Sequence, residues 1–253
     1  MEKGQIREKA ICRRGFLKRA ALAGAVFCVA PAFGKATAAK KAVMGRPATA
    51  STGMAAMATL HGFRTLGSGN AAFRVSAMGF GCMGLNHHRS QHPDEKTCIR
   101  LVHEAIERGV MLFDTAESYG YHANEILTGK ALKGYADRVF ATTKFGHKFV
   151  NGVQVRTEED STPANIRRVC ENSLRNLGVE TLGIFYQHRI DPGTPIEVVA
   201  ETVGELIKEG KVLHFGLCEV NAETIRRAHA VCPVTAIPVS YTHLRAHETG
   251  RNL

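Results

Sequence analysis

The sequence predicts an α/β fold of (β/α)8 barrel type, and three observations carry that expectation. Six apolar runs of strand length alternate with helical patterns between residues 76 and 237. Capping residues stand where the helical patterns begin and end. Ionisable residues follow the strands at their carboxyl ends. Strands alternating with helices imply parallel pairing under a helical cover. Periodicity alone fits either a doubly wound sheet or a barrel. The charged groups favour the barrel, because strand ends converge on one mouth only when the sheet closes.

The elements follow in order. "GFRTL" and "AFRVS", joined by "GSGN", read as a β-hairpin ahead of the repeats. The six strands are then expected at "SAMGFG", "VMLFD", "RVFATTKF", "LGIFYQH", "VLHFGL" and "VTAI". Ile166, Cys170, Leu174 and Leu177 mark one face of a helix, and Ile196, Val199, Val203 and Leu206 mark another. Thr162-Pro163 and Thr194-Pro195 each place a capping hydroxyl before a proline at the first helical position. Asn221 caps the last helix, with Glu223 in its first turn where the dipole favours a carboxylate. Gly109, Gly178 and Gly210 are expected to stop helices.

Residues 1–38 read as a twin-arginine (Tat) signal peptide of bacterial type. Arg13 and Arg14 precede Phe16, Leu17 and Lys18, an apolar stretch runs from Ala20 to Phe33, and Ala36-Thr37-Ala38 is a small-residue cleavage site. The stretch is too short for a stable membrane span. The expected destination is the periplasm, reached through the Tat export machinery. The chain carries a formal charge of +10, but past residue 38 there remain 25 basic against 21 acidic residues, or +4, too little for a nucleic-acid partner. Residues 39–60 read as a flexible linker without an apolar face. Five cysteines remain beyond the signal, with no CxxC spacing and no disulfide framework, and Cys98 and Cys170 fall on apolar helical stripes. His87, His88 and His92 crowd one loop, but no paired cysteines or spaced carboxylates accompany them, so no metal is expected.

Asp114 ends the second strand, Lys144 lies at the end of the third, His188 follows the fourth, and Cys218-Glu219 follow the fifth. With Tyr119 five residues after Asp114, the motifs "GFGCMGLN", "LFDTAESYG", "ATTKFG", "YQHR" and "GLCEV" resemble the aldo-keto reductases over about residues 61–237. The resemblance implies a catalytic tetrad of Asp114, Tyr119, Lys144 and His188. It implies an NADP(H) cofactor across the barrel mouth, bound in part by Cys82, Met83, Asp114, Cys218 and Glu219, and a small carbonyl or alcohol substrate. Tyr119 would be the general acid. Its ordinary pKa near ~10 is high for that task, and a neighbouring Lys144 ammonium is expected to lower it. Asp114 would hold the lysine, and His188 would orient the carbonyl. Cys218 stands where the family commonly has serine, and a thiol is a weaker donor. The alternative reading is a non-catalytic nicotinamide-binding regulatory subunit. Such subunits on this fold lack the tetrad histidine, so His188 favours the enzyme.

After "VTAI" the resemblance stops. Residues 239–249, "VSYTHLRAHET", resemble a translated sequencing adapter, with Pro238 as the junction codon. The expectation is therefore a partial barrel over residues 61–238, truncated after about six strands and inactive as written, followed by a non-native tail over residues 239–253.

Overall fold

The computed structural model describes residues 62–87 and 91–238. The predicted export signal (1–38), linker (39–60) and non-native tail (239–253) lie outside them, as does His88.

Strands β1 (Phe63–Leu66) and β2 (Phe73–Ser76) form the expected antiparallel hairpin, with Phe63 opposite Ser76 and Leu66 opposite Phe73. Six parallel strands follow: β3 (Gly79–Gly81), β4 (Leu112–Asp114), β5 (Phe140–Phe145), β8 (Leu182–Gln187), β9 (Val212–Leu217) and β10 (Val234–Ala236). They lie side by side in chain order, so every connection steps to the adjacent strand, as in the (β/α) barrel. Five helices make the crossovers: α1 (Glu95–Glu107), α2 (Ala123–Leu132), α3 (Pro163–Leu177), α4 (Ile196–Lys208) and α5 (Ala222–Val231). β3 is shorter than "SAMGFG" suggested. Ser76 closes the hairpin instead, its hydroxyl donating to Met78 O at 2.6 Å and accepting from Met111 N at 2.9 Å.

Alternation along the strands sorts the side chains into two cores. Phe113, Ala141, Phe145, Phe185, Phe215 and Leu217 face the helices and pack with Val102, Ile106, Ile166, Val169, Val199 and Val203. Cys98 and Cys170 lie in this layer, fully enclosed, as their stripes implied. The opposite face carries Ile184, Tyr186 and Cys218, and the hairpin's Phe73 and Val75 pack into it. Phe73 meets Phe140 edge-on at 4.7 Å and His214 at 4.4 Å. The hairpin therefore plugs the amino-terminal end of the sheet, away from the carboxyl ends of the strands.

Thr162 accepts from Asn165 N with Pro163 in the first turn, and Asn221 accepts from Thr224 N. Gly178 ends α3 in the left-handed region (φ 65°). Thr194 does not cap α4. Pro195 occupies the cap position without a side-chain bond, and the Thr194 hydroxyl donates to Asp191 Oδ2 at 2.8 Å. A buried carboxylate that also accepts from Ser161 N and Gly193 N is the stronger acceptor.

α2 and α3 approach unusually closely at Gly129, where a Cβ would stand 2.5 Å from Asn176 O and 2.8 Å from Leu177 Cα. Those are backbone atoms that no rotamer change moves. Gly129→Ala should destabilise the fold by roughly 1–3 kcal/mol through overpacking, despite alanine's better helix propensity. A denaturant midpoint unchanged or raised in this variant would refute that packing argument.

Candidate active site

The site begins with register. Asp114 pairs across to Thr142, and Lys144 stands two residues further along the same strand, so both side chains leave the same face. Lys144 Nζ donates to Asp114 Oδ2 at 2.5 Å, to Thr115 O at 2.7 Å and to Tyr119 Oη at 3.4 Å. Thr142 Oγ1 donates to the other oxygen of Asp114 at 2.9 Å, which fixes the carboxylate plane. Tyr119 comes from the loop after β4, a turn braced by Tyr119 N on Ala116 O and Asn124 N on Tyr119 O. His188 follows β8, its ring edge-on to Tyr119 at 5.9 Å between centroids. Thus Asp114, Tyr119, Lys144 and His188, spread over more than seventy residues of sequence, meet at the carboxyl end of the sheet.

The electrostatics depart from expectation in one respect. Lys144 lowers the pKa of the Tyr119 phenol as foreseen, but the net direction is upward. Burial, which disfavours the phenolate, is the larger effect, and the Asp114 carboxylate adds to it. Burial alone would depress the Lys144 ammonium, yet Asp114 and Tyr119 outweigh it and hold the lysine above its ordinary value. His188 is pushed down to about 2 by burial first, then by Lys144, His147 and Arg189, so its imidazole is neutral. At neutral pH the site holds a loaded phenol, a charged lysine and an uncharged histidine.

The remaining expected site residues lie around this cluster. Met83 is half-buried in the single 3-10 turn after β3. Cys82 beside it is fully enclosed, main chain included, and its thiol is pushed up to about 12 by burial. The Cys218 thiol is likewise raised to about 12 by burial. Glu219 is exposed, in a left-handed backbone conformation (φ 51°), and its carboxylate lies 3.4 Å from Arg189. His87 stacks on the Tyr119 ring at 5.5 Å, while His92 is exposed.

Several contributors were not anticipated. Asn124 is a buried hub: its Oδ1 accepts from Thr115 Oγ1 at 2.6 Å, and its Nδ2 donates to Cys82 O at 2.9 Å. It ties the end of β3 to the Tyr119 loop. A second hairpin, β6 (His147–Val150) and β7 (Val153–Glu159), rises from β5 immediately after Lys144. Its signal was present in the sequence: Asn151-Gly152 between Val150 and Val153 is a two-residue hairpin turn, and both take positive φ.

The profile of the family described as Aldo/keto reductase family matches residues 77–251. A curated protein of Glycine max named "Probable aldo-keto reductase 1" is 42% identical over 178 residues, covering 69% of this chain and 50% of that protein. The chain thus spans about half the length of this relative. An aldo-keto reductase of Bacillus halodurans, solved in its holo form, matches with a TM-score of 0.62 and 29% identity over 71% of this chain and 57% of that one. A glycerol dehydrogenase of Gluconobacter oxydans matches with a TM-score of 0.61 and 29% identity over 69% and 54%. An aldo/keto reductase of Klebsiella pneumoniae, solved with NADP and acetate, matches with a TM-score of 0.50 and 27% identity over 61% and 49%.

Proposed function

Because the chain belongs to the aldo/keto reductase family, we propose that its strand-end cluster reduces an aldehyde or ketone, or oxidises the corresponding alcohol, with NADP(H). The observation that carries this reading is the Lys144 ammonium, which touches both the Asp114 carboxylate and the Tyr119 phenol oxygen. The donors at the end of β9 suit the nicotinamide end of the cofactor. Cys218, with its thiol kept protonated, can donate to the carboxamide oxygen, and Glu219 can accept from the amide. Met83, half-buried next to the enclosed Cys82, would flank it. The NADP bound by the Klebsiella pneumoniae protein supports this choice of cofactor.

When bound, NADPH supplies the hydride for the carbonyl carbon. The protein's own part is at the oxygen. Tyr119 and the neutral His188 would bind the carbonyl oxygen, and Tyr119 would give it a proton as negative charge develops. Lys144 stabilises the phenolate left behind, and Asp114 keeps Lys144 charged and aimed. The regulatory-subunit reading is less well supported, since His188 stands against Tyr119 with an uncharged ring suited to donate. The test is carbonyl-dependent NADPH oxidation by a chain carrying the complete barrel. No turnover with any aldehyde or ketone, despite NADPH binding, would favour the regulatory reading. Among the described residues β3 and β10 are the edges of a six-stranded sheet that does not ring the mouth, and on that ground the proposal expects little or no turnover from the 253-residue chain alone.

For location, the proposal is Tat-dependent delivery to the periplasm, supported by Arg13-Arg14 and the apolar stretch behind them. Export after folding lets a bound nucleotide travel with the protein. Changing both arginines to lysine should retain the protein in the cytoplasm, as read by cell fractionation. Undiminished periplasmic protein in that variant would remove the Tat reading.

A further inference from the structure

We infer that the β6–β7 hairpin is a clamp for the tetrad, and that His147 is a positioning residue for His188. This rests on the carbonyl-reducing reading above, in which His188 must present one ring nitrogen to the substrate oxygen.

The hairpin starts at His147, three residues after Lys144, and is closed at its base by Asp160 N donating to Gly146 O at 2.8 Å. It then touches both halves of the site. At its base the His147 ring packs on the His188 ring, 4.6 Å between centroids at 57°. His147 is itself held, its Nδ1–H donating at 2.7 Å to Glu159 Oε2 on the returning strand, with both side chains mostly buried. At its tip Phe149 packs on Tyr121 at 4.7 Å. Gly152 makes room for that ring, since a Cβ there would come within 3.2 Å of it. Tyr121 and His122 take consecutive left-handed conformations (φ 44° and 72°), which bulky side chains adopt only where surrounding contacts impose them. Tyr121 stands two residues after Tyr119. The hairpin therefore presses on the loop that delivers the phenol and on the ring that faces it.

The consequence for His188 is chemical. Its Nδ1 lies 3.4 Å from Ser118 Oγ. A neutral ring that accepts there carries its proton on Nε2, the nitrogen then free to donate to a carbonyl oxygen. A half-turn of the ring would replace Nδ1 by carbon and lose that bond. His147, braced by Glu159, covers the ring face and opposes the turn. Lys144 and Arg189 also face His188, and with His147 they disfavour its charged form.

The test needs no turnover. In the 253-residue chain labelled with 15N in its histidine rings, NMR should show His188 as a single Nε2–H tautomer, unchanged over roughly pH 5 to 8. In Glu159→Gln, which keeps the side-chain shape, and in His147→Phe, which keeps a ring on the face, the two His188 nitrogen resonances should move toward their mean. The resonances of His103 and His214, which pack against Tyr135 and Phe73, should stay in place. His188 resonances unmoved in both variants would overturn the inference. So would equal movement of His103 and His214, which would reduce the effect to general loosening. Failure of the reductase reading is separable: it would appear as an active Tyr119→Phe enzyme with the His188 resonances as expected here.

Discussion

Replacing Tyr119 by phenylalanine in a chain with the complete barrel should lower carbonyl reduction by about 10²–10⁴-fold, the usual contribution of a positioned general acid. NADPH binding should change little. The substitution removes one hydroxyl and leaves the ring between His87 and His188, which contact it through its π-face and edge. Lys144 keeps two of its three partners, Asp114 and the Thr115 carbonyl. The fold should therefore survive, and the loss should fall on kcat. With Tyr119 raised above its ordinary value by burial and His188 depressed to about 2, neither group changes charge over roughly pH 5 to 8. The rate carried by these two residues should be flat across that range. Steady-state kinetics with NADPH titrated by fluorescence would check both parts, and a Tyr119→Phe enzyme within tenfold of wild type would end the tetrad assignment.

Asp114→Asn should be costly to both stability and turnover. Lys144 is almost fully buried, and burial by itself favours the neutral amine. Asp114 is what reverses that balance. Breaking a fully buried pair costs about 3–5 kcal/mol; Asp114 keeps about a third of its side chain exposed, so solvent screens part of the interaction and about 2–3 kcal/mol is expected. The sign with pH follows from the raised Lys144 pKa. Its contribution is complete below the unfolded lysine value of about 10.4 and fades only as pH rises through the higher folded value. Wild-type stability from this pair should thus be level through neutrality, and the variant should be weakened throughout that range. Turnover should fall about tenfold to a hundredfold, since Lys144 without its carboxylate partner is no longer aimed at the Tyr119 oxygen. Equal urea midpoints for the two proteins at pH 7 would show that Asp114 is not what holds Lys144.

The clustering of Asp114, Tyr119, Lys144 and His188 was legible because three of them sit at strands' carboxyl ends and Tyr119 lies in the loop after the first of those strands. Asp114, Lys144 and His188 close or follow apolar runs, and a parallel sheet brings such ends to one edge whatever lies between them. The helices were legible for the same kind of reason: the stripe from Ile196 to Leu206 and the hydroxyl of Thr162 act over one turn, a range that sequence spacing reports directly. The β6–β7 hairpin also has a sequence signal, its Asn151-Gly152 turn, but no strands were expected there.

What only the tertiary structure decided are quantities set by groups distant in sequence. Thr194 had the right residue type for a cap, but Asp191, carrying two backbone donors, claimed its hydroxyl. The direction of the Tyr119 shift depends on how much water the packed loop excludes and on Asp114 offsetting the charge of Lys144, and neither can be counted along a chain. The contact of His147 with His188 joins the turn after β5 to the turn after β8, two loops with no common periodicity. Local propensity and alternation determined which elements form and which strand ends carry the clustered polar groups. Burial and contacts between loops determined the charge each group holds there, because both arise only when separate segments pack and exclude solvent.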